Sequence, residues 1–376
     1  MPEVMIFLPD LKIGGAERAV VNLLNNWSTQ EHNGLIPTLV LRRFTGQLRD
    51  QIPNWIEVVS LDLPSSGLYS SIATPWKLAL MMRHRRPSVI IVFHTATFAW
   101  VVLASRLGSP KTKIIVSVNS PPSRVFGAKH RRLLFASMST LTDYFLAATQ
   151  GIAEEMHSLF GVPVKRIAVL PPSVDNNAIL ANRTVPVSHP ALTQSHVPII
   201  VASGRLTRTK RYDVLLQAAS VLAEKIKFNL MILGEGPLRN ELEQLASKLR
   251  IANRTFFLGS VSNPWPYISK ASVLALSSDY EGFGLVLIEA MVCGVPVVST
   301  RAPYGPESII TNEVNGLLVP IRDSEALANG ILRLLADQGL RQRCIDGGFE
   351  RASDFRVQKV MQSLGRILEE ITRDGR

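Results

Sequence analysis

At 376 residues the chain is long for one hydrophobic core, and roughly 150 residues per domain predicts two domains. Hydrophobic residues make up 46% and charged residues 19%, which excludes a disordered or collagen-like chain. Only Cys293 and Cys344 are present, excluding a disulfide framework and a thiolate zinc site and fitting a reducing, cytoplasmic compartment, while the net charge of +11 asks for an anionic partner.

The N-terminus, MPEVMIFLPD, lacks a basic leader and reads as a buried strand, not a signal peptide. β-Branched runs alternating with amphipathic stretches predict strands at Val4–Leu8, Thr38–Leu41, Ile56–Leu61, Val89–Phe93, Lys113–Val118, Tyr144–Ala148 and Arg166–Leu170, with helices between them. After the first strand comes Gly14-Gly15-Ala16-Glu17. Its glycines let the backbone approach a bulky ligand, and the helix that follows starts with free N–H groups. The uncharged stretch between Arg86 and Arg106 is broken by His94, Thr95 and Thr97, so it reads as strand, loop and helix start and not as a membrane span. His94 closes its strand and is a candidate site residue at the strand end.

Charge is uneven. Residues 1–190 carry 19 Lys and Arg against 11 acids, and residues 63–142 carry eleven basic residues and no acid at all. That block predicts an anionic membrane surface as partner, with Arg124, Lys129, Arg131 and Arg132 as docking charges and Val125, Phe126, Leu133, Leu134 and Phe135 as apolar anchors. A basic nucleic-acid-binding protein is the reading from another class. The block lacks a recognition motif and its aromatics fall in apolar runs, so no nucleic-acid partner is expected.

Five prolines among Pro171 to Pro198 mark an interdomain linker at 176–197, which ends an N-terminal domain of 1–175. The alternation restarts with strands at Ile199–Ser203, Phe228–Leu233, Thr255–Leu258, Ser272–Ala275, Pro296–Ser299 and Gly316–Val319, a second domain of 198–355. The expected fold is α/β: two Rossmann-like, doubly wound domains facing a cleft, with ligands at the C-terminal strand ends. Gly234-Glu-Gly236 lacks the third glycine of a dinucleotide fingerprint because Arg239 stands there, and no P-loop or zinc spacing occurs. No metal and no cofactor are expected.

The richest segment runs from Ser277 to Ser299. Gly282 and Gly284 permit a tight loop, and the apolar run from Leu285 to Met291 starts a helix whose N-terminus suits phosphate. Glu281 in the loop and Glu289 in the helix suit sugar or ribose hydroxyls. The ligand reads as a nucleotide-sugar.

Glu281, seven residues, Glu289, then Ala-Met-x-x-Gly-x-Pro-Val-Val resembles the donor-site signature of retaining glycosyltransferases of the GT-B fold, family four in particular. The resemblance extends to Gly204-Arg205-Leu206 with Lys210, and to the loops Leu233–Pro237, which holds Gly236, and Phe257–Ser260. It covers the whole second domain, and the Gly14–Gly15 loop adds a match in the first. It implies that Arg205 and Lys210 hold the diphosphate and, with Glu281, carry catalysis. Glu289 would hold the ribose, and Glu281 with the backbone of Phe283, Gly284 and Leu285 the sugar. The reaction implied is front-face transfer with retention. The donor is a nucleotide-sugar, a UDP-sugar ahead of GDP-mannose because Gly305-Pro306-Glu307 is similar to bacterial polysaccharide enzymes. The acceptor is a glycan or lipid-linked sugar at the inner face of the cell membrane, and the enzyme is peripheral there. The sequence departs from the family at Asn119, which stands where similar enzymes often carry a His, so Asn119 is an acceptor-side candidate without that contact. The last helix, 356–376, is expected to pack back on the N-terminal domain as in similar proteins. A same-fold nucleotide-sugar epimerase is the nearer alternative, although its acid–base pattern is not visible.

Overall fold

The computed structural model describes residues 3–12, 14–28, 34–64, 67–125, 129–193 and 197–373. It divides into two compact units: Met1–Ser173 with Val357–Arg376, and Val174–Arg356.

The first unit begins β1 (Glu3–Leu8), α1 (Gly15–Asn25), β2 (Ile36–Leu41), β3 (Glu57–Ser60), α2 (Leu68–Arg85) and β4 (Val89–Val92). It continues with α3 (Phe98–Gly108), β5 (Lys113–Val118), α4 (Pro122–Val125), α5 (Lys129–Thr140), β6 (Tyr144–Ala147), α6 (Gln150–Phe160) and β7 (Ile167–Val169). Its seven strands lie in the order β3-β2-β1-β4-β5-β6-β7, all parallel. The central strands are buried on both faces, which explains their continuous apolar runs, VMIFL in β1 and VIIV in β4.

The second unit starts with α7 (Asn176–Asn182) and α8 (Pro190–Thr193), then β8 (Ile199–Ser203), α9 (Tyr212–Ala223), β9 (Asn229–Leu233), α10 (Arg239–Lys248) and β10 (Thr255–Gly259). After these come α11 (Trp265–Ile268), β11 (Val273–Leu276), α12 (Leu285–Val292), β12 (Val297–Thr300), α13 (Gly305–Ile309), β13 (Leu317–Val319), α14 (Ser324–Ala336) and α15 (Gln338–Ala352). The order β10-β9-β8-β11-β12-β13 repeats the doubly wound plan. All thirteen expected strands occur, with ends shifted by at most two residues.

Two expectations are corrected. The segment 176–197 is not a bare linker: Asp175 caps α7 by accepting from Ala178 N at 2.9 Å, and Ile179 and Ala191 are buried in the second unit's core. Helices this short leave no periodicity to read, so the prolines dominated. Phe135 is not a surface anchor either. It is fully buried, with its ring 5.4 Å from Phe98 and 5.0 Å from Phe160. Of the consecutive Leu133, Leu134 and Phe135 only one can face inward on a helix, and the aromatic fills the larger space.

The last helix, α16 (Val357–Arg373), belongs to the first unit. Its Val357, Met361, Leu364, Leu368 and Ile371 repeat at three and four residues and share a core with Val20 and Leu24 of α1 and with Ile6 and Leu8 of β1.

Candidate functional site

In each all-parallel sheet the strand order reverses between two neighbours, β1 and β4 in the first and β8 and β11 in the second. Loops leaving such a pair diverge to opposite sides and leave a crevice at the C-terminal strand ends. Most of the donor-side candidates and His94 fall at those four strand ends: Gly14–Gly15 after β1, His94 after β4, Gly204 to Lys210 after β8, and Ser277 to Gly284 after β11, with Leu285 and Glu289 in α12; Gly236 follows β9 and Asn119 follows β5.

In the second unit the loops after β8 and β9 run against each other backbone to backbone. Gly204 N donates to Leu233 O, Leu206 N to Glu235 O at 3.0 Å, and Leu238 N to Leu206 O. A Cβ on Gly234 would stand 2.0 Å from the Gly204 carbonyl oxygen, and one on Gly236 2.4 Å from that of Leu206. The Gly-x-Gly is therefore a packing requirement of these paired loops. Arg205 projects from them, exposed and without a side-chain hydrogen bond or ion pair among the described residues.

Lys210 ends a 3-10 turn, Arg208–Lys210, and its Nζ donates to Glu281 Oε1 at 2.5 Å. The same oxygen accepts from Ser278 Oγ at 2.7 Å, and Glu281 is only 7% exposed. These two donors compensate the hydration that the buried carboxylate has lost. The two candidates thus meet in one pair bridging the loops after β8 and β11. Gly284, at φ +100°, turns the chain into α12 and leaves the first N–H groups of that helix without intrahelical partners. Phe283 is buried, Leu285 half-buried, and Glu289 stands half-buried a turn beyond.

Residues that sequence reasoning missed hold this arrangement. Arg211 adopts a left-handed conformation, φ +48°, and its guanidinium grips Asp213 at 2.8 Å and Asp279 at 3.2 Å; Arg322 adds a second cation on Asp279 at 2.8 Å. Burial pulls the Asp279 carboxyl upward, but the bonds from Arg322 and Arg211 outweigh it and hold that carboxyl below its ordinary value. Asp279 N also donates to Thr209 O, and Ser277 Oγ to Lys210 O, so the two loops are tied along their length. Burial, with Glu281 nearby, pushes the Tyr212 phenol up, and its hydroxyl donates to Gly204 O at 3.0 Å. Burial first, then Glu289, pushes the Cys293 thiol up to about 12, so it is no nucleophile near neutral pH. A cavity of about 570 Å³ between α9 and α10 is lined by Arg208, Arg211, Asp213, Leu242, Lys248 and Asp279 among others, and Arg205, Lys210, Glu281 and Glu289 do not line it.

In the first unit a pair bridges the loop after β4 and the helix that follows β1. Glu17, buried in the first turn of α1, lies 3.1 Å from His94 Nε2. Asn119 sits beside them at the end of β5, where its side-chain amide donates to Ser117 Oγ at 3.2 Å. Glu17 was visible in the glycine loop, but its partnership with a residue 77 positions away was not. Arg124 and Arg132 are exposed, whereas the side chains of Lys129 and Arg131 lie outside the described residues, as does Phe126.

Residues 13–178 match the family model of Glycosyltransferase Family 4, and residues 189–351 that of Glycosyl transferases group 1. The lipopolysaccharide core biosynthesis glycosyltransferase LpsE of Rhizobium meliloti is 30% identical over 340 residues, covering 90% of this chain and 91% of its own. The chain belongs to glycosyltransferase family 4. The Campylobacter jejuni N-acetylgalactosamine-N,N'-diacetylbacillosaminyl-diphospho-undecaprenol 4-alpha-N-acetylgalactosaminyltransferase is 26% identical over 370 residues, 96% of this chain and 97% of its own. Among solved structures, Anabaena HepE in complex with UDP and glucose superposes with a TM-score of 0.81 at 19% identity, over 98% of this chain and 100% of that one. The lipopolysaccharide outer core galactosyltransferase WaaB, at a TM-score of 0.74, 20% identity and coverage of 98% and 100%, has the same fold. The fold of this family 4 glycosyltransferase is therefore GT-B.

Proposed function

We propose that the enzyme moves a hexose or N-acetylhexosamine, with retention of configuration, from a UDP-sugar in preference to GDP-mannose. The acceptor is a glycan or lipid-linked sugar in cell-surface polysaccharide synthesis, met at the inner face of the membrane. The observation that carries the reading is the Lys210–Glu281–Ser278 cluster at the foot of α12. A departing diphosphate needs positive charge, which Arg205, Lys210 and the helix N-terminus supply, and a sugar needs a carboxylate acceptor. Both donors to Glu281 fall on Oε1, which leaves Oε2 for a sugar hydroxyl. Glu289 takes the ribose. The relatives named for lipopolysaccharide core and diphospho-undecaprenol substrates, and the UDP and glucose in HepE, support the donor and acceptor classes.

The metal-independent reading follows from the same charges: the side chains and the helix dipole meet the leaving group, and no ion is assigned a step. The test is transfer to a lipid-linked saccharide from UDP-hexoses, UDP-N-acetylhexosamines and GDP-mannose, with the product's anomeric configuration read by NMR. Retention from a UDP donor, at a rate EDTA leaves unchanged, is expected. An inverted linkage rejects the mechanism, a GDP-mannose preference rejects the donor, and an epimerised donor formed without acceptor rejects transfer in favour of epimerisation.

A further inference from the structure

Helix α2 buries Ser70, Thr74, Leu78 and Met82 and turns large apolar residues to solvent: Leu68 is 78% exposed, Tyr69 68%, Ile72 54%, Trp76 59% and Leu80 64%. At about 100° per residue, Tyr69, Ile72, Trp76, Leu80 and Arg83 fall within an arc of about 80°. On a soluble surface helix that arc should be polar. Leu103 and Leu107 stand exposed on α3, which packs on α2 so closely that a Cβ on Gly108 would lie 2.1 Å from the Ala79 carbonyl oxygen. Exposed apolar side chains spread over two adjoining helices mark an interaction surface.

The charges around it define the partner. Arg85 is engaged by Glu3 and Glu57, and Lys113 by Asp143. Arg83, Arg86 and Lys111 remain exposed, with no side-chain hydrogen bond or ion pair among the described residues. Arg83 and Arg86 end α2, and Lys111 follows the end of α3, the neighbouring helix that also precedes a parallel strand, so the three gather at one end of the apolar face. The segment from 63 to 142 contains no acid that could neutralise them. A second copy pressing the same face would meet its own cations. An anionic bilayer answers both features, with the exposed apolar side chains of α2 in its interface and the three cations on phosphates.

We infer that the α2–α3 face docks the first unit on anionic lipid. This rests on the membrane-bound acceptor proposed above and moves the main contact away from Arg124 and Arg132. In a parallel βα sheet the N-terminus of a crossover helix lies near the C-terminal strand ends. Leu68 therefore starts the docking face at the same edge of the sheet as His94 and Asn119, where a lipid-linked acceptor would arrive.

The test uses the full chain with phosphatidylcholine vesicles, with and without phosphatidylglycerol. The protein should sediment only with anionic vesicles, and brominated lipid should quench Trp76. The Ile72→Ser/Trp76→Ser/Leu80→Ser variant should lose at least tenfold in vesicle affinity, and Trp76→Phe alone should abolish most of the quenching. Unchanged transfer to a water-soluble acceptor shows that the variants are folded. If the triple variant binds as the parent does while an Arg124→Glu/Arg132→Glu variant fails, the α2–α3 face is wrong and membrane docking survives at those two arginines. If the parent binds no vesicle, and gel filtration shows a dimer that the triple variant dissolves, both the lipid face and the membrane reading fall.

Discussion

The two units carry the same strand order, and in each a carboxylate meets a nitrogen base across the switch point: Glu17 and His94 in one, Glu281 and Lys210 in the other. They differ in what surrounds the pair. In the second unit Arg211, Arg322, Asp213 and Asp279 form a network that fixes both loops, whereas in the first the His94 ring is 39% exposed and Glu17 is its one charged partner among the described residues. A preorganised charge site must be held against its own repulsions, and a site for variable acceptors need not be. The difference suits a donor unit that stabilises developing charge and an acceptor unit that positions a hydroxyl.

The largest test of that contrast is Arg205→Ala, expected to lower turnover by about 10²–10³, the usual cost of losing one preorganised charge stabiliser. The Arg205 side chain makes no hydrogen bond or ion pair among the described residues, so melting should not change. Lys210→Ala should lose turnover on the same scale and also stability, by about 1–3 kcal/mol, because Glu281 stays buried with Ser278 alone. Turnover and calorimetry on both variants check this, and equal melting behaviour would show that the Lys210–Glu281 pair is not structural.

Next in size is the division between the two glutamates. Glu289→Ala is expected to weaken UDP and UDP-sugar alike, by about tenfold to a hundredfold for a charge-assisted hydrogen bond. Glu281→Ala should weaken only the intact donor, and because it releases Lys210, UDP alone should bind no worse. Titration calorimetry of both ligands against both variants reads the pattern. Parallel losses in the two variants would break the assignment of ribose to one carboxylate and sugar to the other.

Strands were legible from β-branched runs because the central strands of a parallel sheet are buried on both faces; Glu281 and Glu289 stood out because glycines and a helix start surround them, whereas Arg205 and Lys210 entered only through the family resemblance. The network was not. Arg211 reaches Asp279 across 68 residues and Arg322 reaches it across 43, and no periodicity connects such partners. Asp279 carried no role in the sequence reading, and only the fold shows its carboxylate occupied by two guanidinium groups. The exposed face of α2 was also hidden, since an apolar stripe reads as core until the strands show which side they cover.

Asp279→Asn gives the smallest expected effect and the sharpest control. It keeps the shape of the side chain but removes the charge that Arg211 and Arg322 share, and the carboxylate is 20% exposed, so solvent already screens part of the interaction. A loss of about 1–2 kcal/mol near neutral pH is expected, read from denaturant midpoints. The folded carboxyl lies below its ordinary value of about 3.9, so its contribution is present above that pH and disappears as pH falls through the folded value. The gap between parent and variant should therefore be flat from about pH 5 to 8 and close as pH drops below about 4. A gap that persists undiminished into acid would mean that the variant disturbs packing and that the ion network is not what stabilises the loop. Should the gap close as expected while the KM for donor rises with kcat preserved, the network acts by placing Lys210 for the diphosphate, a task for which the first unit has no counterpart among its described ion pairs.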